Sequence, residues 1–184
     1  MALKKAVLAG GCFWCTEAIY KRLRGVVSVL PGYTGGETKN PTYEQVSTGT
    51  TGHAEAILVE YDPVLIPYEK ILASFFHTHN PTTLNRQGAD IGTQYRSAVF
   101  YNDAAERESA ERIVQELEAE KVYPDPIVTE ITPFTHFYPA ENYHQDYYDR
   151  NREQGYCNIV ISPKIAKLMK DYASDVKDEF KKIV

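Results

Sequence analysis

The stretch that decides the fold is Lys4-Lys5-Ala6-Val7-Leu8-Ala9-Gly10-Gly11-Cys12-Phe13-Trp14-Cys15-Thr16-Glu17. Its apolar beginning predicts a short buried strand over residues 4–9, and after two glycines a helical pattern runs from Phe13 to Arg24. The free N–H groups of a first helical turn favour a thiolate. The position of Cys12 therefore predicts a reactive thiol with a depressed pKa.

The rest of the chain continues with strands and helices in a recognisable order. Apolar alternation or β-branched residues predict strands over 26–33, 54–61 and 97–101, and the helix after Pro67 carries an apolar stripe. Further patterns predict a helix over 104–120, a strand over 124–131, a helix over 143–151 and a final helix from Ser162 through Phe180.

The first four strands and two helices follow the order β-α-β-β-α-β, which is the ferredoxin-like arrangement. We therefore predict an α+β fold with a ferredoxin-like core, additional helices and long ordered loops. One domain is expected over residues 1–184, with a C-terminal helical extension from about 162. The loops over 37–53 and 80–96 are long enough to be functional, and both are expected to cross one edge of the sheet, where their side chains converge.

Composition narrows the class of protein. The chain has 184 residues, a formal net charge of -5 and a pI near 5.6, so we expect no nucleic acid and no membrane as a partner. No signal peptide or spanning segment is recognisable at the N-terminus, and a cytoplasmic location is expected. Three cysteines in a reducing compartment argue for redox or metal chemistry rather than a disulfide framework.

The cysteines leave several hypotheses open. Cys12 and Cys15 form a C-x-x-C pair, a spacing used by general dithiol oxidoreductases and by half of a zinc site. A zinc-stabilised interaction module needs further ligands, and Cys157, His77 and His79 lack the spacing of a second ligand pair. We therefore predict no metal and no cofactor. Cys157 lies in a break between helices, where a mobile segment can bring a second thiol to the first.

Three other side chains are candidates for chemistry. Glu55 begins a strand among apolar neighbours; if it faces the core, burial keeps it protonated as an acid, and if it faces outward it is a solvated charge. Tyr43 and Tyr95 lie in the two polar loops and are either site residues or ordinary packing residues. The pattern alone leaves both alternatives open.

The chain also carries a series of motifs in the order of one known family. It resembles the peptide methionine sulfoxide reductase A family over about residues 5–165, in Gly11-Cys12-Phe13-Trp14, Gly32-Tyr33-Thr34-Gly35-Gly36, Asn40-Pro41-Thr42-Tyr43, Gly52-His53-Ala54-Glu55, Arg86-Gln87-Gly88-Ala89-Asp90, Gly92-Thr93-Gln94-Tyr95-Arg96-Ser97 and Gly155-Tyr156-Cys157. The resemblance implies reduction of methionine sulfoxide, free or in proteins, with selectivity for the S epimer and recycling by thioredoxin. A monomer is expected.

The resemblance also assigns roles. Cys12 resembles the nucleophile, Glu55 the proton donor and Cys157 the resolving cysteine. Where the family usually has glycine after the tryptophan, this chain has Cys15, so two thiols are candidates for resolving the sulfenic acid; the motif match favours Cys157. The implied substrate-binding residues, comprising pocket walls, two hydroxyl donors and a supporting acid, are Phe13, Trp14, Tyr43, Tyr95 and Asp90.

Overall fold

The computed structural model describes residues 2–181. Its strands are β1 (Lys4–Gly10), β2 (Val26–Thr34), β3 (Ala54–Tyr61), β4 (Arg86–Gln87), β5 (Asp90–Ile91), β6 (Ser97–Tyr101), β7 (Glu130–Pro133) and β8 (Phe137–Pro139). Its α-helices are α1 (Phe13–Tyr20), α2 (Tyr43–Ser47), α3 (Tyr68–Thr78), α4 (Ala104–Ala119), α5 (Tyr147–Arg150), α6 (Ser162–Asp171) and α7 (Asp178–Lys181). Short 3₁₀ turns occur at Thr93–Tyr95, Asn142–His144 and Ala173–Asp175, and a π-helical turn at Cys157–Ile161.

The main sheet has the strand order β7-β6-β1-β3-β2-β8. Its four central strands are antiparallel and carry the β-α-β-β-α-β connectivity, so the predicted α+β fold with a ferredoxin-like core is confirmed. β7 adds to one edge in parallel with β6, and β8 adds to the other edge antiparallel to β2. A separate hairpin of β4 and β5 lies within the second long loop.

The core follows from the alternation of side chains along β1. Ala6 and Leu8 face the helical layer, where they join the aromatic and aliphatic stripe of α3, whereas Val7 and Ala9 belong to a smaller cluster that also contains Phe100. Successive side chains of a strand point to opposite faces, so both faces of β1 are buried. The strand is thereby fixed at the centre of the sheet, and its end sets the position of Cys12.

Two predicted helices are shorter than expected. The helix predicted to extend to residue 24 ends at Tyr20, and the one predicted from 162 through 180 ends at Asp171. Leu23 and Val176, which follow the two helices, pair with each other as an isolated antiparallel bridge. This contact joins residues far apart in sequence, so the helical spacing of apolar residues on either side did not reveal it.

The region between residues 124 and 151 also differs from the prediction. Of the strand predicted over 124–131, only Glu130 and Ile131 pair with the sheet, as the first two residues of β7, and β8 was not predicted at all. The predicted helix over 143–151 is reduced to α5, after a 3₁₀ turn. β7 and β8 owe their conformation to pairing with the sheet edges rather than to local periodicity.

The topology brings the two long loops to one edge of the sheet. β1 and β3 are antiparallel, so the C-terminal end of β1 lies beside the N-terminal end of β3, where Tyr33 of β2 pairs with Glu55. The loops that follow β2 and α3 return to this same edge. Among residues 2–181, no helix combines the length and apolar character needed to cross a membrane.

Candidate active site

Cys12 stands at the N-terminal boundary of α1, and only 8% of its surface is exposed. The preceding Gly11 has a φ of +87°, and a Cβ at this position would lie 2.5 Å from Cγ of Gln87. A side chain at residue 11 would therefore be strained by its backbone conformation and by its neighbour. The sharp turn that this glycine allows brings the chain from β1 directly into α1 and places the thiol between them.

Glu55 faces inward and is 2% exposed, which decides between the two alternatives that the sequence left open. Its Oε2 atom accepts a hydrogen bond from the backbone N–H of Phe13 at 3.0 Å. Burial is the main cause that raises the pKa of Glu55 to about 8; the Phe13 hydrogen bond opposes the rise, and negative charge on Asp90 and Cys15 adds to it. The carboxyl group is therefore protonated at neutral pH and available as an acid.

The predicted depression of the Cys12 pKa is wrong. Burial raises the pKa of the Cys12 thiol well above its usual range; hydrogen bonding to Cys15 adds to the effect, as does Glu55 whenever its carboxyl group is ionised. The Phe13 N–H, which was expected to favour a thiolate, donates to Glu55 instead. At rest, the site thus holds a neutral thiol beside a neutral carboxylic acid.

Two phenol groups adjoin this pair. Tyr43 begins α2 and Tyr95 ends a 3₁₀ turn, and both are half-buried. Burial raises the pKa of each hydroxyl, and ionisation of Glu55 or Cys12 would raise it further, as expected for groups that share one site. Both hydroxyls remain protonated and can donate hydrogen bonds to an oxygen atom placed between them and Glu55.

Aromatic rings form one side of the site, which we call the aromatic wall: Phe13, Trp14, His144 and Tyr147. Trp14 stacks on Tyr147 with ring centroids 3.6 Å apart and planes 5° from parallel. The Trp14 Nε1–H donates to His144 Nδ1 at 3.1 Å, and the His144 ring lies 5.0 Å from Phe13 and 4.4 Å from Tyr43. Because Nδ1 is an acceptor, the neutral imidazole carries its proton on Nε2.

The sequence did not identify His144 or Tyr147 as site residues. The only signal was the density of aromatic residues in Tyr143-His144-Gln145-Asp146-Tyr147-Tyr148, a segment that was predicted simply as helix. Glu141 anchors the segment, since its carboxylate accepts hydrogen bonds from the Tyr33 hydroxyl and from the backbone N–H of Tyr43, each at 2.8 Å. These contacts bridge about a hundred residues of sequence.

Asp90 lies at the edge of the site and acts through a tyrosine that the sequence did not single out. The Tyr156 hydroxyl donates to Asp90 Oδ2 at 2.8 Å and lies 3.9 Å from the Cys15 sulfur. Asp90 therefore orients Tyr156 against the thiols. Its negative charge also contributes to the raised pKa of Glu55.

All three cysteines are free, and they belong to one buried cluster between α1 and the π-helical turn. Cys15 is 1% exposed and Cys157 is fully buried. Hydrogen bonding to Cys12 lowers the pKa of Cys15 to about 7 in spite of burial, and Lys164 contributes in the same direction. Burial and the charge of Cys15 raise the pKa of Cys157. Cys15 thus interacts with both of the other thiols.

The histidines considered as zinc ligands lie elsewhere. His77 pairs with Asp171 at 3.1 Å, and His79 is buried, with its Nε2 atom 2.7 Å from the Ser97 hydroxyl. Within the part of the chain that the structure describes, no three histidine, cysteine or acidic side chains form a group that could hold a metal ion.

A family model described as peptide methionine sulfoxide reductase matches residues 4–177. The chain belongs to this family. The peptide methionine sulfoxide reductase MsrA of Saccharolobus solfataricus is 53% identical over 175 residues, which cover 95% of this chain and 98% of the relative. The crystal structure of reduced Mxr1 from Saccharomyces cerevisiae superposes with a TM-score of 0.77 at 37% identity, covering 84% of this chain and 89% of Mxr1. Mxr1 has also been crystallised in complex with Trx2; that structure has a TM-score of 0.55 at 29% identity, with 79% and 84% coverage.

The family membership that the motifs indicated is confirmed, and with it the activity: this reductase converts methionine sulfoxide to methionine. The candidate site contains groups suited to that chemistry. A sulfoxide oxygen leaves poorly unless hydrogen bonds and a proton offset its developing charge. Glu55, Tyr43 and Tyr95 offer three protonated groups, and the aromatic wall offers an apolar surface for a methyl group beside Cys12.

Proposed function

We propose that Cys12 is the nucleophile and Glu55 the proton donor in the reduction of methionine S-sulfoxide, whether free or within proteins. The observation that carries the proposal is the hydrogen bond from Phe13 N–H to Glu55 Oε2, because Phe13 is the residue next to Cys12. It occupies one carboxyl oxygen as an acceptor, so the proton of the neutral acid resides on Oε1. The acid is thereby held at a fixed position relative to the thiol.

The protons balance in the following way. Glu55 gives its Oε1 proton to the sulfoxide oxygen while the Cys12 sulfur attacks the sulfoxide sulfur, and the proton lost by the thiol restores Glu55. The methionine S–O bond and the new S–S bond then both break as the hydroxyl group moves to the Cys12 sulfur, which leaves Cys12 as a sulfenic acid and releases methionine. Tyr43 and Tyr95 donate hydrogen bonds to the same oxygen as its S–O bond breaks, and Phe13 and Trp14 contact the methyl group.

The test is incubation with a mixture of the two sulfoxide epimers and a thiol reductant, followed by chiral chromatography. We expect loss of the S epimer only, and no loss with Cys12→Ser. A wild-type protein that leaves the S epimer intact contradicts the proposed reaction, and a Cys12→Ser variant with undiminished activity contradicts the assignment of the nucleophile.

For the resolving step we propose that both remaining thiols act, in order. Cys15 attacks the Cys12 sulfenic acid and releases water, and Cys157 then displaces Cys12 from Cys15, so that the disulfide moves to Cys15 and Cys157. The support is the placement of Cys15, one helical turn from Cys12, in contact with it, and beside Cys157. This order differs from the expectation drawn from the motif match, in which Cys157 resolves the sulfenic acid directly, and assigns Cys157 to the second step.

The stoichiometry without reductant separates this order from the alternatives. Transfer of the disulfide frees Cys12 for a second turnover, so the wild type should form two equivalents of methionine and Cys157→Ser one, with a disulfide between Cys12 and Cys15. Peptide mass spectrometry identifies the bond. One equivalent from the wild type, with a disulfide between Cys12 and Cys157, would show that Cys157 resolves directly and Cys15 is a structural residue.

We further propose thioredoxin as the reductant of the final disulfide, a monomeric state and a cytoplasmic location. The complex of the related Mxr1 with Trx2 supports the first, and the odd count of three cysteines is typical of a protein in a reducing compartment. Consumption of NADPH through thioredoxin reductase tests the reductant, light scattering the mass, and cell fractionation the location. Cycling with small thiols but not with thioredoxin would refute the first.

A further inference from the structure

Glu17 is a buried carboxylate that the chemistry proposed above does not use. It lies in α1, about one turn after the N-terminal end of the helix, where Cys12 is located, and it is 2% exposed. Burial raises its pKa to about 7, against the effect of hydrogen bonding from Asp146. No cation within residues 2–181 forms an ion pair with it. A buried carboxylate without an ion pair is costly, so its contacts indicate what it does.

Glu17 Oε1 accepts a hydrogen bond from the backbone N–H of Asp146 at 2.7 Å. Asp146 has a φ of +55°, in the left-handed region that residues other than glycine seldom adopt, and it immediately precedes α5. The contact therefore fixes an unfavourable turn from the interior of the protein. The first residue after this turn is Tyr147, whose ring stacks on Trp14.

We infer that Glu17 is a positioning residue for the aromatic wall: it holds the turn at Asp146 so that Tyr147 lies flat on Trp14. The inference rests on the proposed role of Trp14 as a substrate wall. In this arrangement α1 supplies both halves of the wall, since it carries Trp14 directly and holds Tyr147 through Glu17. Glu17 itself contacts neither the thiol nor the acid in any hydrogen bond of the described residues.

The outer face of the same turn has further contacts that supply a control. Lys21 forms ion pairs with Asp146 and Asp149, and it is only partly buried. Ion pairs with this much solvent contribute little. The variant Lys21→Met removes these ion pairs but leaves the buried hydrogen bond of Glu17 in place, so the aromatic wall should stay intact. It therefore distinguishes a general loosening of the segment from the specific effect of Glu17.

Trp14 is the only tryptophan in the chain, so its fluorescence reports on the wall alone. With Glu17→Ala we expect red-shifted emission and a KM for methionine sulfoxide raised at least about tenfold. The single-turnover rate at saturating substrate should stay within about threefold, because Cys12 and Glu55 are untouched. Glu17→Gln keeps an oxygen that can accept the Asp146 hydrogen bond and should resemble the wild type in both measurements.

A folded Glu17→Ala variant with wild-type emission and wild-type KM would overturn the inference, and so would equal changes in Lys21→Met. If the alanine variant does not fold, Glu17→Asp decides, because it withdraws the carboxylate from Asp146 while keeping the charge; normal emission and KM would again refute the positioning role. The emission does not depend on turnover, so failure of the proposed reaction, seen as an inactive wild type, is distinguishable from failure of this inference.

Discussion

Replacing Glu55 with glutamine tests the central feature of the site, a carboxylic acid kept neutral by burial. The amide oxygen of Glu55→Gln can still accept the Phe13 N–H, so the variant keeps the shape of the site and loses only the transferable proton. General acid catalysis typically contributes about 10²- to 10⁴-fold. We expect the rate of sulfenic acid formation near neutral pH to fall within that range, while substrate binding changes little.

The same variant should change the pH dependence of stability in a direction that the structure specifies. The pKa of Glu55 is about 8 in the folded protein against an ordinary value of 4.5. Between these values the unfolded chain has lost the proton that the folded protein keeps, so the free energy of unfolding falls as pH rises, by about 1.4 kcal/mol per pH unit. Over the full interval the loss approaches roughly 5 kcal/mol, an upper limit for this buried group. Glu55→Gln lacks this loss.

The assay is urea unfolding under reducing conditions at several pH values between about 5 and 8, the interval in which the two states differ in bound protons. The wild type should lose stability relative to Glu55→Gln across this interval, and Glu60→Gln, on the same strand but half-buried, should follow the wild type. Parallel curves for the wild type and Glu55→Gln would refute the neutral acid. The rate of the first turnover in the wild type should also decline above about pH 8.

Two further predictions follow from backbone and hydroxyl geometry. Gly11→Ala should destabilise the protein by about 1–3 kcal/mol and lower its activity, because Gly11 has a positive φ and lies close to Gln87. The matched control in thermal unfolding is Gly155→Ala, since Gly155 has open space around it. Tyr43→Phe and Tyr95→Phe should each lower the first-turnover rate by about tenfold or more, the effect of one lost hydrogen bond to a developing charge, with unchanged thermal stability. A first-turnover rate equal to the wild type in either variant would remove that hydroxyl from the proposed site.

The fold was predictable where local pattern and final environment agree. Residues 6–10 of β1 are buried on both faces and form an uninterrupted apolar run, and the α3 stripe is buried as its spacing indicated. The limits of α1 and α6 were not predictable, because they depend on the bridge between Leu23 and Val176. Nothing in the local sequence of either residue reports a partner about 150 positions away.

For the site, residue type and motif spacing pointed to Cys12 and Glu55, and the structure places them on adjoining elements at one sheet edge. The direction of the Cys12 pKa was not predictable, since it required knowing which group takes the first-turn N–H and how deeply the thiol is buried. His144 and Tyr147 were missed for a related reason. Their segment is short and irregular, and its place beside Trp14 depends on tertiary contacts alone.

The hydrogen bond between Phe13 and Glu55 has a mechanical consequence. The acceptor oxygen of the acid is tethered to the peptide unit that follows the nucleophile, so a shift or tilt of α1 carries the acid's anchor along with the sulfur. Small movements of the surrounding loops should therefore change the alignment of the Cys12 sulfur and the Glu55 carboxyl group little. In the proposed reaction, the thiol and the acid therefore meet the sulfoxide as one unit.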